Sequence, residues 1–218
     1  MSISSEETFA TGSLPLDPIQ KGTSILLTGE DADALESVFY KLSAPQADER
    51  GVIVSTDESG RSTLRSLDRV SRGSKSRSSV LAAAGSGRDD SVETISDLSD
   101  LTMLGMTLSS VLAESQQLEP RFRCGIYLCS TICREVEDVR SVYRLLNSNF
   151  LSELRRGDGL GVCAIDTSAD IGANMQSIVA GMKTSFKVHI DVEKTGSREA
   201  TLSISGLADS DDSVTVAL

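Results

Sequence analysis

The stretch Gly22-Thr-Ser-Ile-Leu-Leu-Thr-Gly-Glu-Asp-Ala-Asp-Ala-Leu-Glu36 decides the fold. Ser24 to Thr28 reads as a short apolar strand, Gly29 as a turn, and the residues after it as the start of a helix. In nucleotide-binding α/β proteins the phosphates sit at this junction, in a loop that runs Gly, four residues, Gly, Lys, then Ser or Thr. Counted from Gly29, Ala34 stands at the second glycine, Leu35 at the lysine and Glu36 at the hydroxyl. The strand-turn-helix signal survives while the residues that grip phosphate do not.

Outward from this stretch the chain alternates strand and helix. Asp31 can cap a helix to Leu42, whose Leu35, Val38, Phe39 and Leu42 share one face. Pro45 stops it. Gly51 to Thr56 reads as a second strand whose Val52, Ile53 and Val54 form an uninterrupted apolar run, as expected of a strand buried on both faces of a parallel sheet. The pattern then predicts a helix over 59–70, a strand over 79–84, a loop over 85–99 and a helix over 100–115. A strand over 124–129, a long helix over 136–156, a strand over 160–165 and a weaker helix over 168–181 follow. The period changes to two in 186–192, 200–204 and 214–218, which reads as antiparallel, half-exposed strands. The expected fold is therefore α/β: a three-layer sandwich with a mainly parallel sheet, helices on both faces and a C-terminal antiparallel edge. Residues 1–20 read as an N-terminal leader packed on the core, because Pro15 and Pro18 oppose helix there, and 21–218 as a single domain.

Composition narrows the function classes. Aromatic residues make up only 4% of the chain, so the core must rest on aliphatic side chains. No apolar run approaches the roughly 20 residues that cross a bilayer, and the polar, acidic start is unlike a secretory signal. A cytoplasmic location is the expectation. The net charge of −11 argues against non-specific contact with nucleic acid or an anionic membrane. Adaptation to a salt-rich cytoplasm is the preferred reading of that surplus, and an ordinary acidic protein is the alternative. Cys124, Cys129, Cys133 and Cys163 form no C-x-x-C pair and the only histidine is His189, so the cysteines read as buried small hydrophobes and not as zinc ligands.

The order of these elements, with Thr11-Gly12, Leu16-Asp17 and Gly22 to Gly29 leading into the first strand, resembles the RecA/KaiC-like ATPase core. Closer still, Ser99 to Met106, Tyr127 to Thr131 and the segment ending at Asp166 are similar to an uncharacterised group of short KaiC-like proteins from salt-loving archaea. The resemblance covers about residues 10 to 205. It implies a catalytic-carboxylate position at Asp57-Glu58, after the second strand. It also implies a magnesium-binding Asp before a Ser at the end of a later strand, where this chain has Cys129-Ser130. Neither Cys129 nor Ser130 offers a carboxylate to a hard cation.

Three physical arguments weigh on nucleotide chemistry. A helix N-terminus favours an anion by about 0.3–1 kcal/mol, whereas a like charge at about 4 Å costs roughly 4 kcal/mol at an effective dielectric of 20. Glu30, Asp31, Asp33 and Glu36 therefore outweigh the helix dipole. Lys41 lies six residues beyond Leu35, about 9 Å further along the helix, and Lys21 precedes the strand. Asp57 and Glu58 could activate water, but without lysine or metal ligand they read as caps of the next helix.

Arg61, Arg65 and Arg69 recur at i, i+4 and i+8, an exposed basic row suited to a partner contact. It lacks interleaved aromatics for base stacking, which disfavours nucleic acid. His189, beside Asp191, reads as structural. The expectation is a non-catalytic domain of this fold, without cofactor, that contacts an unidentified protein in regulation or signalling. A homo-oligomer is compatible with it. The alternative is an atypical ATPase using ATP and magnesium, with the missing cation supplied by a neighbouring subunit.

Overall fold

The computed structural model describes residues 8–85, 90–207 and 212–218. In chain order the strands are β1 (Thr8–Phe9), β2 (Ile19–Gln20), β3 (Ser24–Gly29), β4 (Arg50–Ser59), β5 (Ser78–Ala84), β6 (Val92–Thr94), β7 (Phe122–Tyr127), β8 (Leu160–Asp166), β9 (Val188–Gly196), β10 (Glu199–Ser205) and β11 (Asp212–Ala217). The α-helices are α1 (Ala32–Ser43), α2 (Gly60–Val70), α3 (Leu101–Leu118), α4 (Cys129–Glu135), α5 (Val139–Leu145), α6 (Leu151–Gly157) and α7 (Met175–Lys183). Strands β1 and β2 pair with each other. The rest form one nine-stranded sheet in the order β11-β10-β9-β3-β8-β7-β4-β5-β6. Every neighbouring pair from β9 to β6 is parallel, and β10 runs against both of its neighbours.

The apolar runs explain this architecture. Ile25 and Leu27 of β3 enter the core under α1, while Leu26 enters the opposite core. Ile53 of β4 and Val162 and Ala164 of β8 join the first core, and Val52, Val54, Cys163 and Ile165 the second. Strands filled on both faces must lie inside the sheet. In β10 only Ala200, Leu202 and Ile204 are buried, which leaves the other face polar. Phe9, Leu14 and Ile19 bring the N-terminal segment into the first core; residues 1–7 of the expected leader lie outside the described residues.

Several expectations are corrected. The expected loop over 85–99 contains β6, parallel to β5, and its residues 86–89 lie outside the described residues. The expected 124–129 strand ends at Tyr127; Leu128 turns left-handed (φ 59°) and Cys129 opens α4. The expected 136–156 helix starts at Val139, where Asp138 caps it, and Leu146–Phe150 is a π turn between α5 and α6. The extra residue in that turn sets Asn149 Nδ2 on the Gly105 carbonyl of α3, at 3.2 Å. A Cβ at Gly105 would stand 2.9 Å from the Asn149 amide, so the two helices meet there only through glycine. Helix α7 begins at Met175 instead of 168, because Asp166 and Asp170 carboxylates hold the Ser168 and Gly172 N–H groups in turns and Asn174 supplies the cap. Of the three expected antiparallel strands, β9 is parallel to β3 and antiparallel only to β10.

One polar contact in the interior joins four segments. Arg123 of β7 is 0% exposed and Glu49 is 1% exposed. Arg123 Nε donates to Glu49 Oε2 at 2.6 Å, Nη1 to the Leu42 carbonyl at 2.8 Å and Nη2 to the Ala10 carbonyl at 2.8 Å. Arg121 donates to Glu49 Oε1 at 3.3 Å and covers the Phe9 ring at 4.7 Å. The end of α1, the entry to β4, strand β7 and the N-terminal segment are thereby fixed together. Removing one partner of such a pair leaves a buried charge uncompensated. Glu49→Gln and Arg123→Met should each cost about 3–5 kcal/mol, roughly 6–20 °C in melting midpoint. The double variant Glu49→Gln/Arg123→Met should lose less than the sum of the two, as read by scanning calorimetry.

Candidate functional site

In an open α/β sheet, ligands bind at the carboxyl ends of the strands where the connections part to opposite sides. Here that place is the end of β3, between β8 and β9. A cavity of about 620 Å³ opens there, lined by Gly29, Glu30, Asp31, Thr167, Asp191, Val192, Glu193 and Lys194. Gly29 is set by packing: a Cβ at this position would lie 2.9 Å from the Val192 carbonyl oxygen of β9.

Only Glu30 and Asp31 separate β3 from α1. Ala34, Leu35 and Glu36, the positions that match the phosphate-loop pattern, all lie inside the helix. Ala34 and Leu35 are fully buried in the core. The Ala34 N–H is donated to the Asp31 carboxylate at 3.0 Å, and the Leu35 N–H to the Asp31 carbonyl at 2.9 Å. The open end of the helix is thus met by the chain's own carboxylate. Lys194 donates to both oxygens of that carboxylate, at 3.1 and 2.9 Å, and stands 4.0 Å from Asp33. Lys194 first, and then the Ala34 N–H, hold the Asp31 carboxyl below its usual range.

A second group of acids crowds the same end of the sheet. Tyr40 donates its hydroxyl to Glu58 at 3.1 Å, and the Phe39, Tyr40 and Tyr127 rings pack together with centroids 5.0–5.9 Å apart. Burial, then the charges of Glu58, Asp33 and Asp57, push the Glu36 carboxyl upward, against a weaker pull from Arg69. Asp57 retains solvent contact, yet desolvation and then Glu58 raise it too. Asp57 and Glu58 belong to the extended end of β4 and do not cap α2. Ser59 does, by accepting from the Ser62 N–H at 3.3 Å. Among the described residues no group of three or more His, Cys, Asp or Glu is arranged to hold a metal ion.

The β7 end is held by hydroxyls. Thr56 Oγ1 donates to the Tyr127 carbonyl at 2.9 Å and approaches the Leu128 carbonyl at 3.1 Å, bracing the left-handed Leu128. Ser130 Oγ accepts from the Asp166 N–H at 3.3 Å, which ties α4 to the end of β8, while Cys129 is buried beneath. All four cysteines are buried and free. Arg61, Arg65 and Arg69 lie exposed along α2, and among the described residues none makes an ion pair within 4.0 Å. The two lysines weighed from the sequence are engaged elsewhere. Lys21 pairs with Asp158 at 3.1 Å, and Lys41 donates to the Ala217 carbonyl.

Two features of the site escaped the sequence reading. Lys194 is one; it lies far along the chain from Asp31 and carries no motif. The other is a relay on the face of the sheet opposite α1. Thr28 Oγ1 donates to Asp191 Oδ1 at 2.5 Å and contacts His189 Nε2 at 2.9 Å. The single hydroxyl proton goes to the carboxylate, so His189 Nε2–H donates to Thr28. Burial, then Lys183, lowers the His189 pKa, with Asp191 opposing them. The alternation of β9 was the one available signal, since it sets His189 and Asp191 on the same face.

No protein of curated function matches the sequence. The crystal structure of the KaiC-like protein PH0186 from the hyperthermophilic archaeon Pyrococcus horikoshii OT3 superposes with a TM-score of 0.61 at 14% identity, covering 94% of this chain and 92% of that one. At that identity the likeness is one of fold: an α/β domain of the RecA/KaiC-like type. The profile of the family described as Family of unknown function (DUF7504) matches residues 22–192, from the lead-in to β3 into the middle of β9, and the chain belongs to that family.

Proposed function

We propose that this protein is a non-catalytic domain of the RecA/KaiC-like fold that works by contact with another protein, in regulation or signalling. The observation that carries the reading is the Asp31 carboxylate seated on the N–H of Ala34, two residues after β3 ends. A phosphate loop needs free backbone N–H groups and a lysine at this point. Here one such group is satisfied internally, Leu35 occupies the lysine position, and Glu30, Asp31, Asp191 and Glu193 line the cavity. A triphosphate would enter against several carboxylates, and among the described residues no group of three or more acids is arranged to hold a metal ion beside it. Arg61, Arg65 and Arg69, exposed and without an ion pair among the described residues, offer a contact for an acidic partner, since residues 61–77 hold six cations and one carboxylate, Asp68. The acidic remainder of the chain fits work in concentrated salt.

A second reading has one observation in its favour. Lys194 puts a cation on the cavity wall, so an atypical nucleotide site is conceivable if Lys194 leaves Asp31 or a neighbouring subunit adds charge.

Thermal-shift titration in concentrated KCl separates the two. With about 5 mM ATP and magnesium the midpoint should move by less than about 1 °C, because a ligand that does not bind the folded state cannot stabilise it. A rise of several degrees would contradict the proposal, and its loss in Lys194→Ala would establish the second reading.

The crowding of acids has its own signature. A carboxyl raised in the folded state adds stability below its unfolded pKa, and that contribution is lost as pH rises through the raised value. At pH 7 charged Glu36 therefore costs stability. Glu36→Gln should raise the midpoint by about 1–4 °C at pH 7, on the order of 0.5–1 kcal/mol for a screened, half-exposed group. The gain should fade toward about pH 4, where the carboxyl is protonated in both states.

A further inference from the structure

Strand β11 ends the sheet, and among the described residues no strand pairs with its outer side. The phase of its inner ladder follows from one bond, Leu218 N–H to the Arg198 carbonyl at 2.9 Å. Bonded pairs recur every second residue in an antiparallel ladder. Val216, Val214 and Asp212 therefore turn their main-chain groups toward Ala200, Leu202 and Ile204 of β10. Ser213, Thr215 and Ala217 turn theirs outward. The Lys41 ammonium, which reaches the Ala217 carbonyl from outside the sheet, agrees with that phase.

Exposed edges of this kind are commonly blunted by proline, lysine or a bulge. Residues 212–217 contain neither proline nor a cation, the β10–β11 register is unbroken, and Lys41 of α1 takes only one of the two lone pairs of a single outward carbonyl, that of Ala217. Residues 213–217 carry no charged side chain, in a chain with a net charge of −11. Two copies meeting along residues 213–217 would set no like charges against each other there.

We propose that β11 is the edge at which two copies of this chain join their sheets, strand against antiparallel strand, about a two-fold axis at Thr215. The outward groups are self-complementary in that register. Thr215 faces Thr215 of the second copy, Ser213 faces Ala217, and all of the outward N–H groups meet outward carbonyls. Val214, partly exposed in the single chain, lies beside Val216 of the second copy and extends the core beneath α1. Asp212 of the second copy falls one step beyond Ala217, on the side where Lys41 reaches the strand, which gives the junction a complementary charge pair. The pairing does not depend on the carboxylate-filled crevice, so either conclusion can fail without the other.

Sedimentation velocity and light scattering, with concentrated KCl to screen the net charge, should show mass doubling as concentration rises, with a dissociation constant below about 100 μM. Thr215→Pro removes only an outward N–H and is compatible with an edge strand, so it should leave the melting midpoint unchanged and the protein monomeric. Should Thr215→Pro not fold, Thr215→Asp places like charges directly opposite each other across the axis and should give the same monomer. Amide exchange at Ser213 and Thr215 should slow with concentration in the unsubstituted protein. A protein that stays monomeric at about 0.5 mM, including one whose edge pairs only with an extended segment of another protein, would overturn the proposal. So would an assembly that persists in the Thr215 variants.

Discussion

The open N–H groups at the start of a helix form an anion site, and in this protein the anion at α1 is the side chain of Asp31. That hydrogen bond lets α1 begin two residues after β3, which draws Ala34 and Leu35 into the core beneath the sheet. The same carboxylate recruits Lys194 from β9, so a cation on the cavity wall neutralises a protein carboxylate. Helix, strand and cavity are thus joined by a contact that a bound phosphate would have to break.

The opposite end of the sheet is secured differently. Arg123 and Glu49 lie in the interior, where each charge is stable only because the other is present and the remaining donors of Arg123 reach main-chain carbonyls. This cluster holds the N-terminal segment against β7 and the end of α1. The fold keeps its chemistry-bearing end crowded with acids that repel one another and its far end closed by a satisfied ion pair. Electrostatic strain at the first end is tolerable because the rest of the sheet is filled on both faces.

Much of the fold was legible because buried parallel strands declare themselves as unbroken apolar runs, as Val52 to Val54 and Ile25 to Leu27 do. Helix α1 was legible from its cap and its four-residue stripe, and its early start already conflicted with a four-residue phosphate loop. What could not be read was direction and distance. Alternation in β9 says that one face is exposed, but the pairing of Ile25 with Val188 that makes it parallel is a tertiary fact. Lys194, His189 and the Arg123–Glu49 pair act across long stretches of chain, where spacing carries no information. The late start of α7 was hidden because Asp166, Asp170 and Asn174 spend their side chains on local N–H groups, which competes with helix over the same residues.

A non-catalytic role requires the end of β3 to be closed to a nucleotide by the cap that α1 carries from within. The most direct measurement is an amide-resolved NMR titration of the isotopically labelled protein with ATP and magnesium, following Gly29, Ala34 and Leu35. These three resonances should hold their positions through millimolar nucleotide, with any change confined to exposed basic residues. Saturable movement of the Ala34 amide, with release of its bond to Asp31, would contradict it.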